Sequence, residues 1–80
     1  MNAFPVVDMV ATGDNIRMMR ERVGMTVADL QRVFGFTSTV AIYKWQRGDS
    51  LPTIDNLVVL AAVFGVSISD IIVCRSQAIA

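Results

Sequence analysis

Histidine is missing from this chain, and cysteine occurs once, at Cys74. Without a histidine or a second cysteine there is no zinc ligand set and no intramolecular disulfide. Nor does any phosphate-cradling loop or base-paired nucleophile stand out, so catalysis would have to rest on scattered aspartates. Excess charge is lacking too: seven Lys and Arg balance seven Asp and Glu, which argues against a strongly basic nucleic-acid binder. No apolar run approaches the roughly 20 residues of a membrane span. The start, MNAFPVVDMVATG, has no basic stretch of the kind that opens a signal peptide. A soluble cytoplasmic protein is expected by elimination. Repeats and low-complexity segments are also missing.

What is present is apolar. Hydrophobic residues make up 54% of the 80 positions. A single domain of this size buries only roughly 60% of its unfolded surface. Part of the apolar surplus is therefore expected either inside unusually buried helices or on a face kept for a partner.

The chain is organised around Thr26 to Pro52. Thr26 opens a helix, and Asp29 three residues on makes a short-armed capping box. Val27, Leu30, Val33 and Phe34 follow at helical spacing, and Gly35 stands where a left-handed cap is needed. Thr37, Ser38 and Thr39 offer N-cap oxygens for a helix over Val40–Arg47, whose buried face is Ile42 and Trp45. Gly48 ends it, and Asp49-Ser50-Leu51-Pro52 is turn chemistry. Before this unit, a helix is expected from Asp14 or Asn15 to Val23, with Ile16, Met19 and Val23 on one face. After it, Thr53 caps a helix over Ile54–Phe64 that is apolar nearly all round. Ser67 or Ser69 caps a short fifth helix at about Ser69–Val73. Residues 1–12 read as an extended arm, with Pro5 blocking an early helix, residues 13–73 as the domain, and residues 74–80 as a frayed tail.

The stretch TVADLQRVFGFTSTVAIYKWQRGDSLPTIDNLVVLAAVFGVSISDII, extended back to Asn15, resembles the helix-turn-helix domain of Cro/CI-type (Xre) transcriptional regulators, which include the lambda and 434 repressors. The carriers are Thr26, Gly35, Ile42, Trp45 with Gly48, Leu51-Pro52, and the Leu60-Ala61 to Phe64-Gly65-Val66 run. The resemblance implies an all-α, five-helix, lambda repressor-like DNA-binding domain with a helix-turn-helix. It implies a sequence-specific regulator, a repressor in many relatives, acting as a homodimer on double-stranded DNA without cofactor or metal. The alternative is a protein-interaction module that keeps the fold and reads no DNA.

The same resemblance assigns roles. Thr39, Val40, Ala41, Tyr43 and Lys44 match the positions that face base edges. Thr39 either contacts a base or caps its helix. Val40 and Ala41 suit a thymine methyl, Lys44 a guanine or a phosphate, and Tyr43 a sugar or a phosphate. Arg17, Thr26, Thr37, Ser38, Lys44 and Arg47 are phosphate candidates. Between Asn15 and Arg47 six basic residues face Glu21 and Asp29 alone, which concentrates positive charge on the first three helices.

Four departures from the family pattern stand out. Val27 replaces a phosphate-binding glutamine. The turn before Ile42 is one residue longer than usual. Gln31 replaces an alanine at the helix crossing, a change read as linked to the longer turn. Gln46 replaces the glutamate that pairs with the residue matching Arg20, so Arg20 is expected to bond an amide and keep its charge. Trp45 reads as core rather than a stacking platform, the methionines as core or interface filler, and Cys74 as an inert thiol. The dimer surface is expected among Val59, Val63, Ile72 and Phe4.

Overall fold

The computed structural model describes residues 3–78. Strand β1 (Ala3–Val7) is followed by helices α1 (Met9–Arg22), α2 (Val27–Phe34), α3 (Val40–Arg47), α4 (Ile54–Phe64) and α5 (Ile68–Ile71), then strand β2 (Cys74–Ala78). The five expected helices are present, and the three central ones begin and end where their caps predict. Thr26 and Asp29 close a reciprocal capping box at α2, and Thr53 caps α4. Gly35, Gly48 and Gly65 end α2, α3 and α4 in left-handed conformation. At α5 Ser67, not Ser69, is the cap. It forms a second capping box with Asp70, which starts the helix one residue early.

The core is the inward stripe of each helix. Ile16, Leu30, Ile42, Leu60 and Ile71 are fully buried, and Met19, Trp45, Leu57 and Phe64 nearly so. Asn15 fastens α1 to α5 by donating to the carbonyls of Asp70 at 2.8 Å and Ile71 at 2.9 Å. Among the described residues no helix is long and apolar enough to cross a membrane.

The first helix departs from expectation. It starts at Met9, capped by Asp8, whose carboxylate accepts from the Ala11 N–H at 3.0 Å. The sequence Thr12-Gly13-Asp14 imitates a turn, because glycine weakens a helix interior. Here Gly13 lies inside the helix because α1 crosses α3 at that point. A Cβ on Gly13 would stand 2.1 Å from the Trp45 carbonyl oxygen. Gly48 provides the matching gap on the other side, where a Cβ would fall 2.7 Å from the Val10 Cα.

Both ends of the chain also correct the expectation. Residues 74–78 are a strand rather than a frayed tail, and residues 3–7 are extended but pair with that strand. The antiparallel register sets Phe4 opposite Gln77, Val6 opposite Arg75 and Val7 opposite Cys74. The Asp8 N–H continues the ladder by donating to the Val73 carbonyl at 2.8 Å. The pattern was hidden because Pro5 and the polar Arg75-Ser76-Gln77 run do not alternate like a half-buried strand. Residues 3–7 and 74–77 of the ribbon are exposed except half-buried Val6. The radius of gyration is 13.5 Å, above the roughly 12 Å of a compact domain this long. The molecule is accordingly elongated, 46 Å in its longest dimension.

Candidate nucleic-acid interface

Two short helices and their turn build the site. The Asp29 carboxylate accepts from the Thr26 N–H at 2.8 Å, and the Thr26 hydroxyl accepts from the Asp29 N–H at 3.0 Å. The backbone bond from Thr26 is the main reason that the Asp29 carboxyl is held below its ordinary range. The N-terminus of α2 is therefore fixed. The turn is fixed by Gln31. Its side-chain amide donates to the Phe36 carbonyl at 3.1 Å, and the Phe36 N–H donates to the Gln31 carbonyl at 3.1 Å. Gln31 and the longer turn are thus joined by a hydrogen bond across the turn itself.

Aromatic packing sets the angle of α3. Phe34 and Phe36 stack with ring centroids 5.0 Å apart, and Trp45 meets their edges at 5.4 and 5.9 Å. Trp45 is 4% exposed and Ile42 fully buried, so Trp45 belongs to the core and is closed to a stacking base. With Ile42 and Trp45 pointing in, helical periodicity turns Val40, Tyr43, Lys44 and Arg47 out as one exposed stripe. Val40 is 55% exposed.

An open groove of about 360 Å³ lies along the first turn of α3. Thr37, Ser38, Val40, Ala41 and Lys44 line it together with Phe36 and Ser50. The groove therefore joins five of the residues singled out in the sequence. Phe36 and Ser50 escaped notice because neither follows a helical period. Ser50 arrives through the corner after Gly48, and Phe36 through the extra turn residue. Thr39 starts α3 without a side-chain capping bond. Thr39 holds the N-cap position with its hydroxyl unused for capping, and the Ser38 hydroxyl accepts from the Val40 N–H at 3.3 Å.

Arg17, Thr26, Thr39, Tyr43 and Arg47 do not line the groove. Thr26 is at the start of α2. Arg17, on α1, bonds Asp14 at 3.0 Å and Glu21 at 2.9 Å. Its pKa is raised, first by the Asp14 hydrogen bond. Arg47 bonds Asp49 at 2.9 Å, and Arg32 pairs with Asp29. The positive excess counted between Asn15 and Arg47 is thus halved locally, because Asp14 and Asp49 lie just outside that window. Lys44 joins none of these pairs. Arg20 donates to the Gln46 amide oxygen at 2.9 Å and to the Met25 carbonyl at 2.7 Å. Glu21, 3.7 Å from its guanidinium, supplies a partial counter-charge that the sequence reading missed.

The dimer candidates are dispersed. Val63 and Ile72 pack against the core, Val59 is at the edge of exposure, and Phe4 is 61% exposed on the ribbon.

The BldD DNA-binding domain superposes on this chain with a TM-score of 0.68 at 23% identity, covering 81% of this chain and 93% of that one. A structure of the S. venezulae BldD DNA-binding domain gives the same score, identity and coverage here, with 96% of its own length covered. At that identity the likeness concerns the fold. No relative among curated proteins matches the chain. The helix-turn-helix family pattern matches residues 16–71, from the buried Ile16 of α1 to the buried Ile71 of α5. The chain belongs to the Cro/CI-type helix-turn-helix family and has its lambda repressor-like fold.

Proposed function

We propose that this chain is a sequence-specific DNA-binding regulator that sets α3 in the major groove and acts as a homodimer. The carrying observation is the outer face of α3. Val40, Tyr43 and Lys44 stand exposed on a helix whose opposite side is locked into the core by Ile42 and Trp45. A base-reading helix needs its N-terminal side chains held rigidly and left uncovered. The groove at that end holds hydroxyls at Thr37, Ser38 and Ser50, an ammonium at Lys44, and methyl-bearing walls at Val40 and Ala41. These groups suit phosphate oxygens and the thymine methyl. Family membership supports the same reading, as does the fold shared with the domain named as DNA-binding in BldD.

Dimerisation follows from size. One module with a single unpaired cation at the groove makes few contacts, and a two-fold dimer on a palindromic site doubles them. The competing interaction-module reading draws on the local pairing of Arg17, Arg32 and Arg47 with carboxylates. Titration against random and selected duplexes at several salt concentrations separates the two. Binding that weakens with salt and prefers certain sequences supports the regulator. An absence of duplex binding at low salt overturns it.

A further inference from the structure

The β1–β2 ribbon has two outer edges, and they differ. The Asp8 N–H donates to the Val73 carbonyl, which puts that pair at a hydrogen-bonding position of the ladder, with the Val73 N–H taken by the Thr12 hydroxyl. Because such pairs alternate along an antiparallel ladder, the uninterrupted register makes Val6/Arg75 and Phe4/Gln77 hydrogen-bonded as well. Val7/Cys74, Pro5/Ser76 and Ala3/Ala78 are then the pairs whose backbone groups point outward. Pro5 therefore loses no bond to β2, and its missing N–H blunts the outer edge of β1. The outer edge of β2 carries no such block. It presents the N–H and C=O groups of Cys74, Ser76 and Ala78 in a row, and Cys74 to Gln77 are all exposed.

A lone two-stranded ribbon with almost no buried face is marginal in water. An open strand edge is also a template for another strand.

We propose that β2 is the dimer seam. Its partner is β2 of a second copy, antiparallel across a two-fold axis at Ser76, giving one four-stranded sheet in the order β1-β2-β2-β1. This rests on the homodimer reading above and names its surface.

Three features fit this occupant. Ser76 is the middle residue of the five in β2, so a dyad there uses the whole strand and forms about six backbone hydrogen bonds. Arg75 falls opposite the partner's Gln77, so no like charges meet. A dyad at Arg75 would set the two guanidiniums directly against each other. Finally, the new sheet ends on β1 at both sides, where Pro5 stops further addition, so assembly closes at two copies.

Two measurements on the full chain test the seam. Ser76→Pro removes an outward N–H in both copies while sparing the bonds to β1. It should weaken the dimer roughly a hundredfold in sedimentation equilibrium with helical circular dichroism unchanged. In a Cys74→Ser background, Ser76→Cys should cross-link to a covalent dimer on mild oxidation. A hydrogen-bonded pair on the dyad has Cα atoms about 5.5 Å apart, within disulfide range. Arg75→Cys in the same background should not cross-link, since its opposite residue is the partner's Gln77. If Ser76→Pro dimerises as tightly as the unaltered chain, or both cysteine variants cross-link equally, the seam is wrong while the dimer stands. If the unaltered chain stays monomeric at about 100 μM, well above a micromolar Kd, seam and dimer both fall.

Discussion

The buried hydroxyl of Thr12 accepts a hydrogen bond from the Val73 N–H at 2.9 Å and donates one to the Val73 carbonyl at 3.3 Å. One side chain in α1 thus satisfies both backbone groups of the residue that leads into β2, 61 positions away. Thr12→Val keeps the shape and orphans the Val73 N–H. It should cost about 1–3 kcal/mol in denaturant melts. The carbonyl keeps its bond from Asp8. Thr12→Ser retains the hydroxyl and should cost less.

The α1–α3 crossing reverses a familiar rule. Replacing glycine by alanine inside a helix normally stabilises by about 0.5–1 kcal/mol. At Gly13 the added methyl meets the Trp45 carbonyl oxygen at 2.1 Å, and backbone must move. Gly13→Ala should destabilise by about 1–3 kcal/mol. A gain in the melting midpoint would mean that the two helices are further apart than described.

The Arg20–Gln46 bond invites a charge. Arg20 has 13% of its side chain exposed and donates to Gln46 at 2.9 Å. Gln46→Glu turns a neutral acceptor into an ionic one, which is stronger by about 1 kcal/mol. The variant should melt later. By cancelling positive charge beside α3, it should also bind random duplex more weakly at low salt. Equal or lower stability would show that burying the new carboxylate outweighs the pair.

Acid stability should follow the two capping boxes. Asp29 and Asp70 are both held below the ordinary aspartate value of 3.8, chiefly by the backbone N–H groups of Thr26 and Ser67. A folded-state pKa lowered in this way gives stability that is present above the unfolded value and lost as pH falls through the folded one. Thermal melts between pH about 6 and about 2.5 should therefore be flat at first and fall at the acid end. Asp29→Asn and Asp70→Asn should each make that fall shallower. An unchanged acid limb in both variants would show that the boxes are not its source.

Residues 26–66 were legible because each boundary there rests on local chemistry: a hydroxyl before a helix, or a glycine after one. The inward stripe of Ile42 and Trp45 follows from periodicity alone. The start of α1 was not legible, since Gly13 is required by a carbonyl in a distant helix that no local window contains. The ribbon was hidden because its partners are about 70 residues apart and neither strand alternates clearly. At the interface, residue types were readable and their engagement was not. Arg17 and Arg47 look free until Asp14, Glu21 and Asp49 are seen beside them.

Lys44 stands outside every ion pair described above and lines the groove with Val40, and Thr39 makes no capping bond. Binding of random and selected duplexes over a range of salt, for the unaltered chain and for Lys44→Ala, Thr39→Ala and Val40→Ala, is the most direct test of α3 as the reading helix. Lys44→Ala should weaken binding to every duplex and reduce the salt slope by about one counterion for a phosphate contact. Thr39→Ala and Val40→Ala should leave random-duplex binding nearly intact and shift preference at one or two base pairs, by about 1–3 kcal/mol each. Three variants that bind selected and random DNA as the unaltered chain does would contradict the assignment of α3 as the reading surface.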